Sequence, residues 1–389
     1  MIPYGQQDIS QKDIDAVVDV LKSDFLTQGP QVPLFEKAIK EAVNAEYALA
    51  VNSATSALHI ACLALGVGKG DVVWTTPITF VASANCALYC GADVDFVDID
   101  PKTYNLSPKL LSQKLTHAKQ NNLPLPKVVI PVHLCGQTCE MDKIQALSLE
   151  YGFAIIEDAS HAIGGRYKKN PIGKCEYSDI TVFSFHPVKI ITTAEGGVAT
   201  TNNAVLAQKM DLLRSHGITR DESLMAEPSH GGWYYEQVDL GFNYRMTEMQ
   251  AALGLSQMSR LHDFVAKRNR LAAVYDDLLK SLPLATPFQI EGSYSARHLY
   301  VIRLNLADIS ASHKEVFERL RASGIGVNLH YIPVHIQPYY KDLGFEKEQF
   351  SESNKYYQEA ISIPVFHAMT FDQQEKVICV LSQILEKSS

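Results

Sequence analysis

The sequence predicts an α/β fold, a mostly parallel sheet covered by helices on both faces, followed by a smaller α+β C-terminal domain. Three observations predict it. Short apolar runs alternate with amphipathic helical stretches for roughly 200 residues. Near Glu248 the alternation gives way to long helical patterns, and after Pro283 strand and helix signals return on a smaller scale. The expected division is a large domain at residues 1–250, then a helical linker and small domain at 251–389.

The elements follow from period. Asp8–Leu21 reads as a helix with Ile9, Ile14, Val17, Val18 and Leu21 inward. A second helix begins near Pro33, with Phe35, Ile39 and Val43 inward. Ala48–Val51 is a short strand, and Ser56–Leu65 a helix facing inward through Leu58, Ala61, Cys62 and Leu65. Strands are expected at Asp71–Trp74, Asp95–Val97, Val128–Val132, Phe153–Ile156, Ile180–Phe185 and Gly197–Thr201, and helices at Phe80–Tyr89 and Ile144–Tyr151. Residues 247–280 form one or two long helices, with Met249, Leu253, Leu255 and Met258 inward in the first. The C-terminal part reads strand Leu299–Leu304, helix Ser312–Ala322, strand Gly326–Tyr331 and helix Phe371–Leu385.

Composition narrows the function. With 46% hydrophobic and 20% charged residues the chain can build a sizeable core and is not a disordered one. Its 35 basic and 43 acidic residues give a net charge of −8 with no basic block, so neither nucleic acid nor an anionic membrane is an expected partner. No apolar run reaches the roughly 18 residues of a membrane span. The opening MIPYGQQDIS has no signal-like apolar stretch, so the cytoplasm is the expected compartment. Seven scattered cysteines, an odd number, argue against a disulfide framework.

Chemistry in such sheets gathers at the carboxyl ends of the strands, where five features fall. Asn52–Ala57 lies between a strand and a helix. Its backbone N–H groups with Thr55 and Ser56 can hold an anion, although an ordinary Ser/Thr cap is the simpler reading of this loop alone. Ile155-Ile156-Glu157-Asp158 delivers carboxylates at a strand end, with His161 three residues on. Asp158 can orient a base, hold a metal or pair with a protonated ring nitrogen. Lys189 leaves the β-rich Ser184-Phe185 segment for a Thr/Gly-rich turn; apolar surroundings would lower its pKa and make it a nucleophile, whereas a solvated loop lysine is the plainer alternative. Phe80 follows a strand and can stack on a planar group. Asn243 and Arg245, at the entry to the long helix, can donate to a phosphate. Together these are the parts of a pyridoxal 5′-phosphate (PLP) site: a lysine, a carboxylate, a phosphate cup and an aromatic lid. His133–Cys139 mimics a metal cluster without a second half, so no metal is expected; Gly66–Gly70 follows a helix and reads as a helix stop.

At these residues the chain resembles the DegT-type nucleotide-sugar aminotransferases. The resemblance runs through Leu26–Pro30 with Phe35-Glu36, Asn52–Leu58, Thr79–Ala82, Glu157–His161, Phe183–Gly197, Gly241–Met246 with Gln250–Ala252, and His330–Tyr339. His186–Ile191, Arg214–Arg220 and Trp233–Gln237 are similar to one branch, which acts on UDP-linked 4-keto-sugars with L-glutamate as amino donor. The resemblance implies a type I aminotransferase fold and a homodimer with shared active sites. It implies that Lys189 carries PLP as a Schiff base, Asp158 faces the pyridine nitrogen and Phe80 stacks on the ring. It further implies that Thr55, Ser56 and Ser184 hold the phosphate with Asn243 or Arg245 of a partner subunit, and that His161 also contacts the cofactor. Thr27, His186, Arg220, His330 and Tyr331 are the implied substrate contacts, and His335 is either a further donor or loop packing. A dehydratase subgroup carries histidine at the lysine position, so Lys189 favours transamination. The alternatives are another keto-sugar aminotransferase, or a non-catalytic protein that kept the fold. A dehydrogenase is disfavoured because no G-x-G-x-x-G follows the first strand.

Overall fold

A computed structural model describes residues 1–385. Seven strands form the central sheet: β1 (Tyr47–Val51), β2 (Val72–Thr75), β3 (Asp93–Phe96), β4 (Val128–Val129), β5 (Ala154–Asp158), β6 (Ile180–Ser184) and β7 (Gly197–Thr201). Their spatial order is β1-β7-β6-β5-β4-β2-β3. Only β7 runs against its neighbours, β1 and β6; the rest pair in parallel. Alternation along the inner strands feeds two apolar layers. Val128 and Ile156 pack on one face with Leu58 and Ala61, while Val129 and Ile155 pack on the other with Leu111 and Ile144.

Four early helices position the site: α1 (Gln11–Leu21), α2 (Gln31–Val43), α3 (Ala54–Ala64) and α4 (Ala82–Tyr89). In α2 the expected Phe35, Ile39 and Val43 are buried. In α1 the expectation fails: Asp13 and Val20 are buried, whereas Ile9, Ile14 and Leu21 are exposed. The cause is polar. Asp13 closes a capping box with Ser10 and accepts hydrogen bonds from Ser256 (2.5 Å), Gln257 (2.8 Å) and Arg260 (2.6 Å), which pins this face of α1 to the helix at Glu248–Met258. Burial alone would raise the Asp13 carboxyl, but these donors hold it below the ordinary carboxylate range. Its contribution is therefore complete above the unfolded value and is lost as pH falls through the folded one. Asp13→Ala is expected to cost about 3 kcal/mol at neutral pH, because Ser256 and Gln257 lose their acceptor and Arg260 half its counter-charge. Urea unfolding at neutral and acidic pH would show the cost, and its shrinkage in acid.

Three more expectations are corrected. The first long helix ends at Met258, before a second at Leu261–Leu278; of its expected inward residues Leu255 and Met258 pack against the core, but Met249 and Leu253 are only half-buried and the fully buried positions are Glu248, Ala251, Ala252, Gly254 and Gln257. Glu248 is drawn in because it accepts from the amides of Gln31 and Val32 at the start of α2. Helix α4 begins at Ala82, two residues after Phe80, which leaves that ring exposed just ahead of the helix. Gly326–Tyr331 is not a strand; it is an extended segment held by bridges Ile2↔Ile325 and Asn328↔Ser362.

The C-terminal portion is built on Tyr300–Leu304, flanked antiparallel by Leu284–Ala285 and Ala360–Ile363. With Leu261–Leu278, His313–Ala322 and Phe371–Leu385 it encloses a separate apolar cluster around Tyr275, Tyr300, Ile302, Leu320 and Leu381. Among the described residues, no helix is long and apolar enough to cross a membrane.

Candidate active site

A cleft of about 540 Å³ opens at the carboxyl ends of the parallel strands. On the sheet side it is lined by Ser53, Thr55, Phe80, Asp158, His161, Ser184, His186 and Lys189; Tyr4, His298, Asn328, His330 and Tyr331 form the facing wall. Chain segments far apart in sequence thus meet because each leaves the same edge of one sheet.

Lys189 sits in the excursion between β6 and β7. The excursion is pinned at its neck by Phe185 N–H on Gly196 O (3.0 Å) and Thr193 N–H on Phe185 O (3.0 Å), and anchored by buried Ile190 and Ile191. The half-buried side chain enters the cleft, where desolvation pulls the ammonium down to about 8; the charge of Asp158 offsets only part of that fall. Asp158 ends β5. Its Oδ2 accepts from Ser83 (2.6 Å), whose hydroxyl is itself 2.7 Å from Thr79. Its Oδ1 accepts from the Ser160 hydroxyl (2.5 Å) and amide (3.1 Å). The carboxylate is thereby fixed in direction while still facing the cleft.

The N-terminus of α3 offers an anion cup. Ser53 caps it by accepting from Ser56 N–H at 3.1 Å, and the amides of Ala54 and Thr55 have no partner among the described residues. Gly197 explains how the cup is seated: a Cβ there would lie 2.5 Å from Ala54 N and 2.6 Å from Ser53 C, so only glycine lets β7 support the turn this closely. Ser56 turns inward, donating to Asn52 (2.6 Å), and does not line the cleft; Ser53 and Thr55 do. Phe80, 58% exposed, stands at the mouth with its ring 6.1 Å from that of Tyr331.

Histidines from both walls crowd together in the cleft, and burial keeps them neutral. His161 and His298, with rings 4.4 Å apart, are both driven well below the ordinary value by burial, with Lys189 adding to the effect. His330 falls to about 3 from burial and the same lysine, and bonds Ser362 through Nδ1 at 2.7 Å. His298 Nδ1 is buried without a partner among the described residues.

Several expected residues lie elsewhere. Thr27 is exposed on the loop before α2 and does not reach this cleft. Asn243 and Arg245 run beside β1, where Tyr244 O accepts from Asn52 N–H at 2.8 Å, and neither lines this chain's cleft. Arg220 lines a second groove, larger at about 940 Å³, between α2 and the helix at Ala204–Arg214. The inner charges of that groove are already matched, Arg214 to Glu36 at 2.5 Å and to Ala50 O at 2.8 Å. We therefore place the chemistry in the smaller cleft. His335 is buried, packed on Phe350 and bonded to Lys347 O. Sequence reasoning missed Ser53, Ser83, Ser160 and His298. Ser83 had a usable signal, four residues after Thr79 at the start of a helix; His298 sits in an irregular segment between Arg297 and the strand at Tyr300–Leu304 and had none.

The residues present fit PLP. An amine kept partly free by desolvation, a fixed carboxylate across from it, uncommitted amides at a helix N-terminus and an exposed aromatic ring are the donor set that this cofactor's aldehyde, ring nitrogen, phosphate and ring face require.

Comparison with known proteins agrees. Residues 7–382 match the DegT/DnrJ/EryC1/StrS aminotransferase family. The UDP-4-amino-4,6-dideoxy-N-acetyl-beta-L-altrosamine transaminase of Campylobacter jejuni subsp. jejuni serotype O:2 is 38% identical over 388 residues, 100% of this chain and 98% of that protein. The structure of Helicobacter pylori PseC, an aminotransferase involved in the biosynthesis of pseudoaminic acid, superposes with a TM-score of 0.89 at 30% identity, covering 99% of each chain. The PLP form of the putative sugar aminotransferase Spr1654 from Streptococcus pneumoniae does so at 0.87 and 29%, covering 99% of this chain and 100% of that one. The fold, the cleft and these likenesses converge: the chain belongs to the DegT/DnrJ/EryC1/StrS family and is a sugar aminotransferase.

Proposed function

We propose that this aminotransferase uses PLP to move the amino group of L-glutamate to C4 of a UDP-linked 2-acetamido-2,6-dideoxy-hexos-4-ulose, giving UDP-4-amino-4,6-dideoxy-N-acetyl-β-L-altrosamine. The observation that carries the reading is Lys189, its pKa lowered to about 8, opposite Asp158 in a cleft with a phosphate cup at the N-terminus of α3. Full-length likeness to the Campylobacter transaminase supports the choice of sugar. A cytoplasmic homodimer is part of the proposal. Trp233 (75% exposed) and Leu240 (77%), on the excursion around the Ile218–Thr219 and Glu236–Gln237 hairpin, offer an apolar face for a second copy, which would bring Asn243 and Arg245 toward its cleft.

When bound, PLP supplies an electron sink for the carbanion left at the amino donor. The chain's own groups do the rest. Lys189 Nζ takes the proton from the donor Cα and returns one later in the transfer, for which an amine titrating near neutral pH is suited. Asp158, held by Ser83 and Ser160, presents negative charge where a protonated ring nitrogen would sit. The Ala54 and Thr55 amides would hold the phosphate, and Phe80 would cover the ring face against water. The neutral histidines add hydrogen-bonding groups without adding cations that would compete with the lysine.

The test is product identity. The purified protein, given glutamate and two C5-epimeric UDP-4-keto-sugars, should aminate the L-configured one, with the β-L-altro configuration read by NMR. Preference for the epimer, or no amination of either, would sink the substrate assignment.

A further inference from the structure

The Tyr331 hydroxyl lies 3.1 Å from His161 Nε2, and the direction of that bond is set from the other side of the imidazole. Cys135 N–H donates to His161 Nδ1 at 3.2 Å. A ring nitrogen that accepts an amide hydrogen carries none of its own, so the neutral ring bears its proton on Nε2 and donates to Tyr331 Oη. Double protonation would set N–H against N–H. It would also place a cation among Lys189, His330 and His298, with no carboxylate among the groups that perturb the ring. The phenol is pushed up by burial and keeps its proton.

The amide that starts this chain is itself specially aimed. Cys135 has φ +61°, a left-handed conformation uncommon for this residue, inside the turn Leu134–Gly136. The loop is fastened behind by His133, which meets Glu157 at 2.6 Å through Nε2 and accepts from Cys139 N–H at 3.1 Å through Nδ1. The segment that mimicked a metal cluster is thus a clamp one residue from Asp158. At the other end, Tyr331 Oη has His161 as its one partner among the described residues, and the tyrosine lines the cleft.

We propose that the Cys135 amide, acting through the Nε2–H tautomer of His161, turns the Tyr331 hydroxyl hydrogen into the cleft as a fixed donor for the carbonyl oxygen of the keto-sugar. A ketone offers only lone pairs, whereas an ammonium group offers only hydrogens. A donor whose accepting side is occupied by His161 therefore favours the keto substrate over the aminated product. Tyr331 is the substrate-contacting group; His161 and Cys135 position it. The inference rests on the keto-sugar reading above, but its first test does not.

In holoenzyme labelled with ¹⁵N-histidine, with His161→Gln assigning the signal, His161 should show the Nε2–H tautomer, unchanged from mildly acidic to mildly alkaline pH. The Nδ1–H tautomer or a doubly protonated ring would overturn the proposal. Kinetics supply the second test. His161→Gln places an amide donor where Nε2–H was and should keep clearly more kcat/KM for the keto-sugar than the glutamate variant does. His161→Glu places an acceptor there, turns the phenol hydrogen away, and should lose about 100-fold, as should Tyr331→Phe. Equal losses in the Gln and Glu variants, or an unaffected Tyr331→Phe, would contradict it. A parent enzyme that aminates no keto-sugar fails before any variant is made, which separates failure of the substrate reading from failure of the relay.

Discussion

Lys189→Ala is expected to lower amino transfer by about 10⁴-fold or more, because in the proposed mechanism one side chain both attaches the cofactor and moves the proton. The fold should survive. Burial disfavours the ammonium, so the parent pays for this group below about pH 8 and recovers stability as pH rises toward the ordinary lysine value. Removing it should therefore not lower the neutral-pH melting temperature. The same lowered value predicts a pH profile. Capture of an aldehyde needs the free amine, so the rate at which cofactor-free protein takes up PLP should climb as pH passes through about 8 and level off above. Stopped-flow absorbance would measure this. A rate flat through that region would mean that Lys189 is not the capturing group, and full turnover by the alanine variant would remove it from catalysis.

Asp158→Asn should be the second most damaging change, with a loss of about 10²- to 10⁴-fold in turnover and far less in cofactor affinity. The amide oxygen can still accept from Ser160, so the local hydrogen bonds are largely kept while the negative charge is gone. What is lost is the negative charge proposed to face a protonated ring nitrogen. The phosphate cup at α3 is untouched by this substitution, so binding should persist. Equilibrium titration of the variant with PLP and single-turnover rates with glutamate separate the two effects. Unchanged rates would deny Asp158 its role, and complete loss of binding would show that it anchors the cofactor.

Much of this was legible in the sequence because parallel sheets write plainly. Buried strands such as Ile155-Ile156 and Thr181-Val182-Phe183 are short apolar runs, and their carboxyl ends converge by topology, so Thr55, Phe80, Asp158, His161, Ser184 and Lys189 could be assigned to one edge before any contact was known. Where burial is satisfied by polar groups, periodicity misleads. Asp13 and Glu248 are buried by their hydrogen-bond partners, and the apolar Ile9 and Ile14 stay outside. Extended chain without regular pairing is equally hard to read: Gly326–Tyr331 has strand-like composition but serves as the cleft wall. Ser56 was assigned to the cup by its place beside Thr55, yet the hydroxyl turned to Asn52, because a helix N-terminus offers a neighbouring acceptor as readily as a ligand. Thr27, Asn243, Arg245 and Arg220 do not line this chain's cleft; in the proposed homodimer Asn243 or Arg245 would serve the site of the second copy.

The most direct measurement is chemical attachment. Purified protein supplied with PLP is reduced with borohydride and digested, and the pyridoxyl-bearing peptide is sequenced by mass spectrometry. The label should fall on Lys189 alone, with the visible absorbance of the holoenzyme lost on reduction and, in a separate sample, shifted by glutamate. Label on another lysine, or none under saturating cofactor, would contradict the account at its root.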